Sequence, residues 1–384
     1  MIFWILEWLK YEGAVKVPAV FLYTSTRMIL AALTSLLLSI FLGPRFIHGL
    51  YVLKMGQPIR MEDCPLLGQL HEKKKDTPTM GGILILSSML VALLLWMDLT
   101  QPFTWILLAT TLVLGCVGGW DDYLKLKYKN PKGMSARTKL IFQFGLGACV
   151  AAYLLIPAFS VAAPQIKFAG ATLTLQEYAS LLFVPFFKEP FHLTWPLVPA
   201  LLTMFVVSGS SNAVNLTDGL DGLAAGCLIL VAATLSLVGF VMNHHDLASY
   251  LNIPYVEGSG EIAIYLCAFM GACLGFLWYN GHPAQVFMGD IGSLTLGGIL
   301  GVAAVLLNRQ ILLGLVGGIF VSEALSVILQ VGSYKLRNKK RIFLCAPLHH
   351  HFEYKGWPET KVVIRFWIVG LLLALIGIGS LKFQ

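Results

Sequence analysis

Residues 222–245 read GLAAGCLILVAATLSLVGFVMNHH, a stretch that contains no Lys, Arg, Asp or Glu. A helix of about 20 apolar residues spans the hydrocarbon core of a bilayer. Backbone N–H and C=O groups cannot be left unpaired in lipid, so an apolar run of this length favours a helix over a strand. The stretch therefore predicts a transmembrane helix.

Nine further stretches of this kind occur along the chain, and their frequent glycines suit close helix–helix approach. Eight of them lack all four charged residue types, and one is interrupted only by Glu323. Together they predict an all-α integral membrane protein with ten transmembrane helices, forming a single polytopic domain over residues 1–384. The nine stretches are 28–44, 77–97, 99–120, 140–166, 190–217, 262–289, 291–308, 310–334 (with Glu323) and 366–381.

The overall composition agrees with a membrane protein. Hydrophobic residues make up 57% of the chain and charged residues only 12%, whereas soluble domains are typically about 25% charged. A soluble enzyme, a disordered chain and a nucleic-acid binder are therefore excluded. The seven cysteines are scattered without a CxxC pair, which argues against a disulfide framework or a zinc site.

The basic residues predict how the helices are oriented. Of the 27 Lys and Arg residues, 19 lie in the segments 45–76, 121–139 and 335–361. With ten crossings these three segments lie on one side of the membrane, and their positive charge identifies that side as cytoplasmic. Both termini are then periplasmic.

Two smaller features are predicted outside the transmembrane helices. The long periplasmic segment 158–194 is expected to hold a small hairpin at 166–175 and a short helix at 175–187. The first residues are expected to form an interfacial helix with Trp4 and Trp8 at the lipid headgroups.

The acidic residues concentrate at the cytoplasmic ends of the predicted helices, and only Glu323 lies within one. Transporters usually place ionisable groups near the bilayer midplane. The distribution therefore favours chemistry at the cytoplasmic surface over passage through the membrane. Three acidic motifs lie there: Asp121 and Asp122, then Asn215, Asp218 and Asp221 at three-residue spacing, then Asp290 between glycines.

Carboxylates crowded at a low-dielectric boundary raise one another's pKa, and a divalent cation relieves that repulsion. Mg²⁺ binds carboxylate and phosphate oxygens, so the motifs predict a magnesium site that faces a phosphorylated substrate. The structural alternatives are solvated loop acids for the aspartate pair, a helix cap for the second motif and a tight turn for the third.

Basic and histidine-rich segments supply the complementary chemistry. Lys73–Lys75 leads into a glycine-rich stretch, and Lys125, Lys127 and Lys129 follow the aspartate pair. Ordinary positive charge in cytoplasmic loops is the alternative explanation for most of these lysines. Three consecutive histidines, 349–351, can donate hydrogen bonds to a diphosphate or coordinate a metal.

Five motifs taken together resemble the phospho-N-acetylmuramoyl-pentapeptide transferase family, part of the wider polyprenyl-phosphate N-acetylhexosamine-1-phosphate transferase superfamily. The acidic motifs are common to the superfamily, whereas the first and last motifs point to the muramyl-pentapeptide branch. The motifs are TPTMGG (77–82), GGWDDYLK (118–125), NAVNLTDGLDGLA (212–224), FMGDIGS (287–293) and APLHHHFE (346–353).

The resemblance implies an Mg²⁺-dependent enzyme of bacterial peptidoglycan synthesis. It would transfer phospho-N-acetylmuramoyl-pentapeptide from its UDP carrier to undecaprenyl phosphate, giving lipid I and UMP. It implies a homodimer in the bacterial cytoplasmic (inner) membrane with the active site facing the cytoplasm. Direct attack by the lipid phosphate is preferred over a covalent enzyme intermediate.

The resemblance also implies residue roles. Asp121, Asp122 and Asp290 would be catalytic, with Asp121 the base toward the acceptor phosphate and Asp290 the magnesium ligand. The nucleoside pocket would be lined by Asn215, Asp218, Gly219, Leu220, Asp221, Asn280 and Phe287, with Phe287 stacking on the uracil. Phosphates, sugar or peptide would be contacted by Lys74, Thr79, Lys125, Gln330, His349, His350 and His351.

Three alternatives stay open from the sequence. A sister transferase that uses UDP-N-acetylglucosamine shares the acidic motifs. A transporter or flippase for a phosphorylated lipid belongs to another class, and a non-catalytic scaffold leaves the aligned acids unexplained. Glu323 itself is interpreted as a packing feature near a break in its helix, for which Gly314, Gly317 and Gly318 are the candidates.

Overall fold

The computed structural model describes residues 2–12, 18–53, 77–128, 133–160 and 164–383, and this part of the chain is mostly helical. The helices in it are α1 (Ile2–Glu12), α2 (Thr24–Val52), α3 (Gly82–Trp96), α4 (Pro102–Tyr128), α5 (Ala136–Leu155), α6 (Leu175–Ala179), α7 (Leu197–Thr217), α8 (Leu223–Met242), α9 (His245–Leu251), α10 (Ser259–Asn280), α11 (Gly289–Leu306), α12 (Gln310–Val316), α13 (Gly318–Leu336), α14 (Leu348–Tyr354) and α15 (Glu359–Ser380).

Within the described ranges, nine helices are long and apolar enough to cross a membrane, namely α2, α4, α5, α7, α8, α10, α11, α13 and α15. The protein is therefore a multi-pass membrane protein. The remaining predicted crossing, 77–97, contains only the 15-residue α3. The residues around the start of α3 pair with the segment before α11. Gly81 N donates to Phe287 O and Gly82 N donates to Met288 O, each at 2.8 Å.

The predicted stretch 310–334 is divided into two helices. One helix ends at Val316 and the next begins at Gly318, so the chain breaks at Gly317. This confirms the glycine break expected there. Glu323 is the sixth residue of the second helix, α13.

The centre of the bundle is formed by α10 and α11. In their most apolar windows 78% and 83% of the residues are buried, against 28% in the peripheral α2, α5 and α13. Small residues allow close helix contacts: Gly271 and Gly275 of α10 lie against Ser35 and Ser39 of α2. Close packing through small residues replaces the hydrophobic driving force that is missing in lipid.

The segment after α5 carries short strands. The predicted hairpin is confirmed as β1 (Ile166–Phe168) paired antiparallel with β2 (Ala171–Leu173) through a turn at Gly170, whose φ is +80°. A further strand, β5 (Tyr255–Val256), extends this sheet on the other side of β1.

The helix predicted at 175–187 is shorter than expected, and that prediction was wrong in extent. A capping box of Thr174 and Glu177 starts the helix α6, which ends at Ala179. The chain then pairs as β3 (Leu181–Leu182) with β4 (Phe191–His192). Residues 181–182, predicted to be helical, therefore form a strand instead. The expected N-terminal helix is present as α1, and Trp4 and Trp8 are exposed on it.

A buried ion pair joins α2 to α10 at the end of the bundle away from the acidic motifs. Arg27 Nη1 lies 2.7 Å from Glu261 Oε1, and Arg27 Nε donates to Trp96 O at 2.8 Å. The guanidinium also lies 4.0 Å from the centre of the Phe3 ring. One side chain thus connects α1, α2, α3 and α10.

We expect Arg27→Met to destabilise the protein, because Glu261 would keep a buried charge without its partner, at a cost of about 3–5 kcal/mol. Thermal unfolding in detergent would show this as a lower Tm. Arg45→Met, at an exposed position of the same helix, is the matched control and should leave the Tm nearly unchanged. Equal Tm values for the two variants would contradict this assignment.

Candidate active site

The aspartate pair meets Asp290 where α4 crosses α11. Gly118 makes this crossing possible, because a Cβ atom there would lie 2.5 Å from the Asp290 carbonyl oxygen. Four residues further along α4, Asp122 Oδ2 accepts a hydrogen bond from Ile291 N at 3.0 Å. The crossing therefore fixes Asp122 to the first turn of α11.

Asp121 is fully buried and is surrounded by donors. Its Oδ2 lies 2.7 Å from Lys125 Nζ, one helical turn later, and 2.8 Å from Lys139 Nζ of α5. Its Oδ1 accepts a hydrogen bond from Met134 N at 2.5 Å. The side chain therefore connects α4 to the start of α5.

Asp290 shares the same two lysines. Lys139 Nζ donates to Asp290 Oδ2 at 2.6 Å, and Lys125 Nζ lies 3.0 Å from that oxygen. The other carboxylate oxygen accepts a hydrogen bond from Asn215 Nδ2 at 3.0 Å, and the same amide donates to Ser293 Oγ at 2.8 Å. Helices α4, α5, α7 and α11 thus all contribute to one cluster.

The carboxylate oxygens of Asp121, Asp122 and Asp290 lie close enough to share one cation, with one oxygen of each within 4.8 Å of the others. All three ligands are hard oxygen donors, the type that Mg²⁺ prefers. The two ammonium groups between them show that this cluster accommodates positive charge. The residues present therefore fit a divalent metal ion.

The TPTMGG segment borders this cluster. Thr79 is buried, and its Oγ1 lies 3.0 Å from where a Cβ of Gly289 would be. Gly289 has φ +75°, a left-handed conformation that favours glycine. Phe287 N donates to Pro78 O at 2.8 Å. Lys74 lies outside the described residues.

The turn 218–221 follows α7 and contains the two aspartates of the second acidic motif. Asp218 is half-buried, and its removal from water raises its pKa to about 7, with the negative charges of Asp290, Asp122 and Asp221 acting in the same direction. A cation bound in the cluster would favour its ionised form. Only Gly fits at position 219, because a Cβ atom would overlap His349 Nε2.

Asp221 is held by a separate set of partners. Its Oδ2 accepts a hydrogen bond from Ala284 N at 3.1 Å and lies 3.1 Å from His282 Nδ1, while its backbone N–H donates to Glu359 Oε1 at 2.7 Å. His282 Nδ1 is also 3.6 Å from Glu359 Oε2. These contacts connect the turn to the first residue of α15.

The other predicted pocket residues are Asn280, Leu220 and Phe287. Asn280 is buried and uses its amide on the backbone, accepting from Gly222 N at 3.0 Å and donating to Val286 O at 2.9 Å. Leu220 is buried, whereas Phe287 is half-buried. Asn280 therefore shapes the loop, and the Phe287 ring is partly accessible.

The three histidines lie in α14. His349 is buried, His350 Nδ1 lies 2.7 Å from Glu353 Oε2, and His351 Nδ1 accepts a hydrogen bond from Leu344 N at 3.1 Å. Gln330 also binds backbone: Oε1 accepts from Ile342 N and Phe343 N, each at 3.0 Å. The structure thus brings the last motif to the turn 218–221 through His349.

Sequence reasoning missed three residues that complete the site. Lys139 was counted only as a loop charge, although it directly precedes the predicted span 140–166. His282 lies inside an uncharged stretch and Glu359 lies in the basic segment 335–361, so neither stands out in the sequence. Asp221, His282 and Glu359 form a second group whose ligand atoms lie within 4.8 Å of one another.

Comparison with known proteins agrees with this arrangement. The family model described as Glycosyl transferase family 4 matches residues 104–308, and the Phospho-N-acetylmuramoyl-pentapeptide-transferase signature 1 matches residues 74–86. A Phospho-N-acetylmuramoyl-pentapeptide-transferase from Protochlamydia amoebophila (strain UWE25) is 66% identical, with all of both chains covered. The chain belongs to this transferase family.

Other members are similar over almost the same length. Proteins of that name from Desulfotalea psychrophila and Neisseria gonorrhoeae are 48% and 47% identical, each covering 95% of this chain and 95% and 96% of their own. The similarity to the transferase family therefore includes all five motifs, both termini and the segments between them.

We expect Gly118→Ala to push α4 away from α11, because its Cβ would meet the backbone of Asp290, and overpacking of this kind typically costs about 1–3 kcal/mol. Thermal unfolding in detergent would report a lower Tm. Gly145→Ala in α5, where a Cβ meets nothing within 4 Å, is the control. A Tm for Gly118→Ala at or above that of the control would show that the crossing is looser than described.

Proposed function

We propose that this protein transfers phospho-N-acetylmuramoyl-pentapeptide from UDP-N-acetylmuramoyl-pentapeptide to undecaprenyl phosphate, giving lipid I and UMP. The observation that carries the proposal is the cluster of Asp121, Asp122 and Asp290 with two lysines at the ends of membrane helices. Membership of the transferase family supports the same reaction. Residues 1–384 act as a single polytopic transferase domain.

The position of the cluster suits two substrates of opposite solubility. The acceptor is a lipid whose phosphate lies at the bilayer surface, and the donor is dissolved in water. We place the site on the cytoplasmic face of a bacterial inner membrane, since the loops 45–76, 121–139 and 335–361 carry most of the positive charge. With α3 as the tenth crossing, both termini are periplasmic. A homodimer stays a prediction of the resemblance.

The reaction is a displacement at phosphorus. An oxygen of the acceptor phosphate attacks the phosphorus attached to the sugar, a new P–O bond forms, and the bond to UMP breaks, with the electron pair leaving on the UMP phosphate. Such transfers depend mainly on positioning and on charge neutralisation. A lipid phosphate is ionised at neutral pH, so it can attack directly without a covalent enzyme intermediate.

Asp290 is the proposed Mg²⁺ ligand, with Asp121 and Asp122 beside it. When bound, Mg²⁺ would neutralise the charge of the donor diphosphate. Lys125 and Lys139 lie against the same carboxylates, at 2.6 to 3.0 Å from Asp121 and Asp290. Their ammonium groups can exchange a carboxylate partner for a phosphate oxygen of the substrate.

We infer that Asp122, rather than Asp121, accepts a proton from the acceptor phosphate when that phosphate is singly protonated. Both carboxylate oxygens of Asp121 already have partners, since Oδ2 lies between two ammonium groups and Oδ1 accepts the Met134 N–H. Asp122 Oδ1 lies 3.8 Å from Lys125 Nζ, which is the longest ion-pair distance in the cluster. This revises the role that the resemblance implies for Asp121.

The nucleoside would bind beside the turn 218–221, where Phe287 is half-buried and offers a ring for stacking on the uracil. Asn215, Asp218, Gly219, Leu220 and Asp221 would line this side, with Asn280 holding the loop. Thr79 of the first motif and Lys74, which precedes that motif in the sequence, would contact the phosphates. His350 and His351 would face the sugar or the peptide, and Gln330 would support their loop.

The nearest alternative is the sister reaction with UDP-N-acetylglucosamine. The experiment that decides is UMP release by the purified protein in detergent with undecaprenyl phosphate and Mg²⁺, with each donor in parallel. Of the two donors, we expect only UDP-N-acetylmuramoyl-pentapeptide to give UMP. Release only with UDP-N-acetylglucosamine would overturn the proposed substrate, and lipid flux in liposomes without UMP from either donor would favour a transporter.

We expect Asp290→Asn to lose most Mg²⁺-dependent turnover, by about 100-fold or more, because removing a metal-binding charge weakens stabilisation of the transition state. The measurement is kcat for UMP release across a range of Mg²⁺ concentrations. Asp246→Asn is the control, because that carboxylate is 90% exposed and remote from the cluster. A wild-type rate for Asp290→Asn would remove Asp290 from the metal role.

A further inference from the structure

Glu323 is the buried acid of α13, and its partners lie in the triple-histidine segment. Its Oε2 accepts a hydrogen bond from Leu348 N at 2.7 Å, and its Oε1 accepts one from His349 N at 3.1 Å. Its Oε2 also lies 3.2 Å from His349 Nδ1. The carboxylate is fully buried, so it depends on these three groups for charge compensation.

The same face of α13 holds the rest of that loop. Gln330 binds the backbone at Ile342 and Phe343, and Ser333 Oγ donates to Lys340 O at 2.9 Å. Positions 323, 330 and 333 are seven and three residues apart, so they lie along one stripe of the helix. Helix α13 is therefore the platform on which the segment 340–349 is fixed.

His349 connects this loop to the turn 218–221. Its ring is fully buried, and neither Nδ1 nor Nε2 makes a hydrogen bond with any residue of the described part of the chain, although Nδ1 lies at ion-pair distance from Glu323. Nε2 lies against Gly219, at the place where a Cβ atom would be. The ring therefore fills the space against the turn and has no exposed surface.

We propose that Glu323 is a positioning residue for donor binding: it orients His349, and His349 in turn supports the turn 218–221 from below. A carboxylate is an acceptor only, so we expect the ring to hold its proton on Nδ1, 3.2 Å from Glu323 Oε2, with Nε2 facing Gly219. Glu323 and His349 thus act on the nucleotide through Gly219, without touching it. This inference rests on the proposed function, in which the nucleoside of the donor binds beside the turn 218–221.

The kinetic test compares the two substrates. Glu323→Gln keeps the volume and removes the charge, and we expect it to raise the KM for UDP-N-acetylmuramoyl-pentapeptide about tenfold or more while the KM for undecaprenyl phosphate stays within about twofold. Glu261→Gln is the matched control, since that carboxylate is also buried but pairs with Arg27 at the other end of the bundle. It should leave both KM values within about twofold.

A double variant tests whether the two residues act through one contact. We expect Glu323→Gln combined with His349→Ala to have the donor KM of the worse single variant within about twofold, because coupled residues are not additive. Multiplied effects of the two substitutions would overturn the proposal. An unchanged donor KM in Glu323→Gln, or an equal rise in both KM values, would overturn it as well.

A measurement on the wild-type protein keeps the proposal testable if the variants do not fold. ¹⁵N NMR of histidine-labelled protein, assigned through the signal that disappears in His349→Gln, should show Nδ1 of His349 protonated. A signal with Nδ1 unprotonated would overturn the proposal. Absence of transfer with wild-type protein would instead refute the proposed function, so the two failures are distinguishable.

Discussion

The shared neutralisation of Asp121 and Asp290 by Lys125 and Lys139 is the interaction on which the site depends. Buried carboxylates repel one another strongly where water is scarce. Two ammonium groups within 3.0 Å of both acids remove that repulsion. Because the four side chains come from α4, α5 and α11, the charge balance also fixes how these helices meet. Gly118 then allows the backbones to approach closely.

A second constraint comes from the membrane-facing helix α13. Through Glu323, Gln330 and Ser333 it holds a loop that is remote in sequence and brings His349 under the turn 218–221. The acidic cluster and the turn are joined by Asn215, which donates to Asp290 from the last turns of α7. The proposed metal centre and the proposed nucleotide pocket are therefore directly connected, which suits transfer between two bound substrates held in a fixed orientation.

Much of this arrangement follows from the sequence, because lipid imposes long uncharged helices and motif residues stand out against them. The helices, the hairpin, the break at Gly317 and the family were predictable for that reason. Lys139 and Glu359 were not, since each lies at a helix start where a charge is ordinary. The contacts of Glu323 could not be predicted either. Its partners are backbone groups about 25 residues away, and backbone contacts across a loop leave no pattern in the sequence.

The central claim is that the three aspartates form the metal centre of a phosphotransferase. Anomalous diffraction from crystals grown with Mn²⁺ and the UDP-sugar donor tests it most directly. The account predicts a manganese peak coordinated by Asp290, with Asp121 and Asp122 beside it and the diphosphate on its open side. A peak bound by Asp221, His282 and Glu359 instead, with none at Asp290, would contradict it.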